Sequence, residues 1–107
     1  MNDINWEAAK KQRRERMRWF ILRTLDVSRP AGSYASSVLD VLRTVYADAT
    51  ELEVRRELDY LAERELVSLA IDPTGVWYAK LERFGVDVVE YAVDCEAGIA
   101  RPVFGGA

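Results

Sequence analysis

One local signal fixes the middle of this chain. Thr50-x-x-Glu53 is a capping box, in which the Thr50 hydroxyl accepts from the N–H of Glu53 while Glu53 reaches back to the N–H of Thr50. The helix it opens keeps Val54, Leu58 and Leu61 within about 60° of one another around its axis, and ends near Leu66. From Leu66 the apolar period changes to two, with Val67, Leu69 and Ile71 on one face. Asp72-Pro73-Thr74-Gly75 has Pro second and Gly fourth, as a type I turn favours, and Trp77, Ala79 and Leu81 alternate on the return. A helix followed directly by a hairpin is therefore expected over residues 51–81.

The flanking segments extend this frame. Asn5 to Leu25 has no Gly or Pro, and Met17, Phe20, Ile21 and Leu25 form a helical stripe confined to its second half. About 20 helical residues span about 30 Å, longer than a small core covers, so residues 1–16 are read as a projecting basic arm, mobile when free. Ser28 to Gly32 breaks this helix, because Pro30 pushes Arg29 out of the helical region. Ser33 or Ser36 then caps a second helix whose wide face (Val38, Leu39, Val41, Leu42, Val45, Tyr46) ends near Tyr46. Ala47 to Ala49 is a short turn of helix-turn-helix length. After the hairpin, a last helix from Glu82 carries Phe84, Val88, Val89 and Tyr91, and residues 95–107 form a tail with Gly98, Pro102, Gly105 and Gly106.

The expected class is mainly α with a β-hairpin: a winged helix-turn-helix over residues 17–94 with a long N-terminal helix. Glu53 to Gly85 resembles the third helix, wing and following helix start of bacterial winged-helix regulators, departing at Glu65, where Gly usually ends the helix, and at Glu82, where Thr or Ser often caps the next. The turn at Glu65 must be made without glycine, at some cost. Three stretches, R-W-F-I-L from Arg18, A-T-E-L-E-V-R-R-E-L-D-Y-L from Ala49 and V-V-E-Y-A-V-D-C-E-A-G-I-A-R-P from Val88, resemble a family of small winged-helix proteins of Mu-like phages and prophages. That resemblance implies the fold and expression inside a bacterial host. It implies no defined activity.

Composition narrows the functional classes. The 107 residues include no His, which removes Ser-His-Asp and Cys-His chemistry and most catalytic zinc sites, so the chain is read as a non-enzyme without cofactor, metal or small-molecule substrate. The single Cys95 forms no intramolecular disulfide and is read as an inert thiol. No leader follows Met1, and no apolar run approaches the roughly 20 residues of a membrane span, so a cytoplasmic location is expected.

The net charge of −3 is unevenly spread: up to Arg29 there are eight basic and four acidic residues, and beyond it seven and fourteen. Lys10, Lys11, Arg13, Arg14, Arg16 and Arg18 are the candidate phosphate contacts, and Arg55 and Arg56 on the outer face of the third helix the candidate groove contacts. The outer face also carries Leu52, Asp59 and Glu63, and Glu51 to Glu65 holds six acids against three Arg, which repels phosphate. The wing offers only Lys80, and Trp77 is read as core. Two functions follow: a phage DNA-binding protein with a role in transcription regulation, or a protein-interaction module docking a phage or host partner or itself. Trp6 is the candidate partner anchor, and at most a weak homodimer through the arm is expected.

Overall fold

The computed structural model describes residues 3–103. Helix α1 spans Trp6–Val27 as one unbroken element, capped by Asn5, whose side chain accepts from the Ala8 amide at 3.0 Å. It is the central element: α2 and α3 pack on part of its surface, and α4 and strand β3 on another. Burial is accordingly wider than a single stripe. Met17, Ile21 and Leu25 are buried as expected, joined by Trp19 and Leu22, while Phe20 is half-buried beside Tyr46. The boundary expected at residue 16 is not a break, since Arg13 is already held by α3 and the carbonyl of Glu15 accepts from Ala100. The exposed run of α1 covers residues 6–12.

Two expectations about the next segment are overturned. Ser33 and Tyr34 form strand β1, paired antiparallel with β3 (Ser33 to Ala79, Tyr34 to Tyr78), so neither Ser33 nor Ser36 caps a helix. Tyr34 occupies the N-cap of α2 (Ala35–Leu42) without a side-chain cap. Gly32 permits the approach: a Cβ there would lie 2.1 Å from the Ala79 carbonyl oxygen, and its N–H donates to the Tyr78 hydroxyl at 2.8 Å. Helix α2 also stops at Leu42, one turn early, leaving Val41 and Val45 exposed. The connection therefore runs over residues 43–50, longer than Ala47 to Ala49, and Arg43 holds it by donating to the Ala49 carbonyl at 2.9 Å.

Helix α3 (Glu51–Glu63) buries Val54, Leu58 and Leu61 completely. Half of the capping box forms: Thr50 Oγ1 accepts from Glu53 N at 3.2 Å, while both Glu53 oxygens turn to Arg13 instead of Thr50. The helix ends in a Schellman motif, Leu66 N donating to Leu61 O and Glu65 N to Ala62 O, both at 3.0 Å. Glu65 takes the left-handed conformation at φ 63°, the position where glycine was missing from the sequence. Tyr91 repeats the device after α4 at φ 60°.

Strands β2 (Val67–Ile71) and β3 (Trp77–Leu81) pair antiparallel in the register Val67 to Leu81 and Ile71 to Trp77. The sheet order is β1-β3-β2. In the turn, Gly75 N donates to Asp72 O at 2.9 Å and Gly75 has φ 86°, the type I turn plus left-handed residue of a three-residue hairpin loop. Helix α4 (Arg83–Val89) begins at Glu82 without a side-chain cap; it buries Val88 and Val89 but leaves Phe84 exposed, against expectation. Residues 95–103 are strapped to the body: Ile99 is buried, Arg101 donates to the carbonyls of Val88 and Val93, and Tyr91 Oη donates to Pro102 O. Tail residues 104–107, with Gly105 and Gly106, lie outside the described residues. Among the described residues, no helix is long and apolar enough to cross a membrane.

Candidate functional site

The eight basic residues singled out in the sequence divide into two groups by their partners. Arg13 donates to Glu53 from Nε at 2.8 Å and Nη2 at 3.0 Å, reaches Asp48 at 2.9 Å, and lies 4.6 Å above the Tyr46 ring. The Glu53 hydrogen bond, aided by Asp48, holds its pKa above the ordinary arginine value against the opposing effect of desolvation. Arg18 donates to Glu57 at 2.6 Å and to the Gly98 carbonyl at 2.9 Å, with its guanidinium 3.5 Å from the Tyr60 ring centroid. Arg55 pairs with Glu51, donates to the Gly75 carbonyl at 3.1 Å and covers Trp77, which is half-buried against the core. These three arginines are structural: two clamp α1 to α3 and one ties α3 to the hairpin turn.

The second group faces solvent. Lys10 and Lys11 are exposed, with only long helical pairs to Glu7 at 3.5 Å and Glu15 at 4.0 Å. Pairs of that kind contribute little and yield readily to a ligand. Arg14, Arg16 and Arg56 are exposed and have no carboxylate partner among the described residues.

The clamps determine where this second group converges. With Arg13 on Glu53 and Arg18 on Glu57, α1 lies alongside α3, and the exposed neighbours of the clamp residues border one cleft of about 390 Å³. Lys10 and Arg14 line it from α1, Thr50, Leu52 and Arg56 from α3, and the Arg13–Glu53 pair and Glu57 complete the lining. Leu52 is 59% exposed, so the cleft offers an apolar side chain among three cations with no strong internal partner. The lining thus sets exposed cationic groups and an apolar edge side by side, with the carboxylates of Glu53 and Glu57 engaged by Arg13 and Arg18. Arg16 and Lys11 are not among the lining residues.

The residues that sequence reasoning missed are the carboxylates. Among the described residues Glu57 is the one buried charged residue, at 4% exposure. The available signal was its position one turn after Glu53 and next to Leu58, on the flank of the apolar face, where a carboxylate requires a cation. Trp6, the candidate anchor, stands 62% exposed at the start of α1 and is not among the residues lining the cleft. A second surface is apolar: Tyr34, Ile71 and Val76 are exposed and, with Ala70, Asp72 and Tyr78, line a shallow depression on the sheet. Cys95 is half-buried and its pKa is raised, first by desolvation. No known protein-family model matches the chain, and comparison with curated proteins brings no match.

Proposed function

We propose that this chain is a winged helix-turn-helix protein that binds duplex DNA, with α2 and α3 as the helix-turn-helix, β2 and β3 as the wing, and a role in transcription regulation. The order helix, short strand, helix, helix, hairpin, helix supports the fold reading. The observation that carries the functional reading is the convergence of Lys10, Arg14 and Arg56, from two helices, on one cleft while Arg13, Arg18 and Arg55 pair with carboxylates of the chain itself. A recognition helix contacts bases through its N-terminal residues, and Leu52 and Arg56 are exposed in that half of α3. Lys10 and Arg14 then take phosphate, and on a duplex of random sequence Arg56 does so as well. The wing tip, with Asp72 and no Arg or Lys, contributes no contact. Membership of the Mu-like phage family, and with it a place in the bacterial cytoplasm, belongs to the same proposal and rests on the sequence resemblance alone.

A second reading, a protein-interaction module, is favoured by the exposed Tyr34, Ile71 and Val76 and by the unpaired Asp59 and Glu63 on α3. Gel-shift titration of a random duplex separates the two. Arg14→Ala with Arg56→Ala should weaken binding and lower the salt slope by about 2, one unit per lost phosphate contact. No binding to any duplex near about 50 mM salt would leave only the second reading.

A further inference from the structure

Helix α3 carries a charge pattern that its own chain does not satisfy. Glu51 pairs with Arg55, Glu53 with Arg13, Glu57 with Arg18, and Arg64 at its end with Glu96. Among the described residues, Arg56, Asp59 and Glu63 have no ion-pair partner, and all three are exposed. With Leu52 they lie on one outward ridge, at successive separations of four, three and four residues. Asp59 and Glu63, one turn apart with like charge, repel each other in the isolated chain.

We infer that this ridge is a two-fold contact between copies of the chain. The spacing is symmetric about the midpoint between Arg56 and Asp59. When two α3 helices cross antiparallel at that point, Arg56 of each copy faces Asp59 of the other, and Leu52 faces Glu63. The four positions span about 16 Å, about three turns of helix. Beside Leu52, Lys10 and Arg14 line the same cleft, so Glu63 of the second copy enters between cations while its stem covers Leu52. Each half of the ridge thus supplies the charge that the other half lacks, as an isologous interface requires. The two basic arms do not meet each other in it, as they would in an arm-to-arm dimer; each meets Glu63 of the other copy.

A contact of this size is below that of a stable dimer, so association is weak, with a dissociation constant of about 0.1 mM at low salt. It covers Lys10, Arg14 and Arg56, so self-association and DNA binding exclude each other on this face. That consequence, though not the contact itself, rests on the DNA reading above.

Sedimentation of the full chain without DNA tests the contact. Arg56→Asp and Asp59→Arg each convert two attractions into two repulsions and should weaken association about tenfold or more, and the double exchange should restore it to within about threefold of the wild type. A wild type that stays monomeric at about 1 mM overturns the proposal, as does a dimer indifferent to the single exchanges or not rescued by the double one. In a gel shift, Asp59→Arg should bind a random duplex at least as tightly as the wild type while failing to dimerise. Absence of DNA binding in every form, with the charge-dependent dimer intact, overturns the competition and leaves the contact between copies standing.

Discussion

Removing the Arg18 side chain should destabilise the protein far more than removing any exposed arginine of the same helix. The Arg18 and Glu57 side chains are 11% and 5% exposed, and Nε lies 2.6 Å from the carboxylate. Arg18→Met leaves Glu57 buried and uncompensated, at a cost of about 3–5 kcal/mol, and also orphans the Gly98 carbonyl that Arg18 ties down, about 1 kcal/mol more. Against a total stability of roughly 5–15 kcal/mol, about 4 kcal/mol lowers the melting temperature by roughly 15 °C in a chain of this length. Glu57→Leu alone should cost about 2–4 kcal/mol, because the stranded guanidinium still has the Gly98 carbonyl and the Tyr60 ring. The double change Arg18→Met with Glu57→Leu should cost less than either alone, about 1–2 kcal/mol, since no buried charge remains. Urea unfolding followed by the fluorescence of buried Trp19 measures all three. A loss below about 1 kcal/mol for Arg18→Met, or a double variant whose loss equals the sum of the singles, would refute the reasoning.

Three further outcomes follow from local geometry. Glu65→Gly should raise stability by about 0.5–1 kcal/mol, the relief of a left-handed side-chain residue less the extra freedom of an unfolded glycine, read as a higher urea midpoint with unchanged slope. The Asp72 carboxyl is held below its ordinary value of 3.8, first by the Thr74 hydroxyl and then by backbone N–H groups. Its contribution to the turn is therefore whole above pH 3.8 and lost as pH falls through the lower folded value, so the Thr74 and Val76 amide resonances should titrate with a midpoint below 3.8; a midpoint at or above it would contradict this. Cys95, with its thiol pKa raised by burial, should react with a maleimide more slowly at neutral pH than a free cysteine does, and equal rates would show the site to be open.

What the sequence disclosed was local, and what it hid was pairing across the chain. Thr50, the Asp72 to Gly75 turn and the alternation through Val67 to Leu81 each carry their chemistry within a few residues, and each forms as expected. Glu65 was legible for the same reason, as a non-glycine residue at a position requiring the left-handed conformation. Strand β1 was not, because two residues carry no period and the only clue was Gly32, whose reason for being glycine is the Ala79 backbone. The early end of α2 was hidden because Val41 and Val45 continue an apolar pattern that the structure leaves exposed. The largest gap concerns the basic helix. Arg13, Arg14, Arg16 and Arg18 look alike in sequence, but Glu53 and Glu57 lie about forty positions away and claim only the first and the last.

The cleft between α1 and α3 is the central claim, and the salt dependence of duplex binding tests it most directly. Fluorescence anisotropy with a random duplex, from about 50 to 200 mM salt, should give a log–log slope of about −3 for the wild type, one contact each from Lys10, Arg14 and Arg56. Replacing all three by Ala should flatten that slope to near zero without lowering the urea midpoint. A slope unchanged by the triple replacement, or no binding even at the lowest salt, would contradict the account.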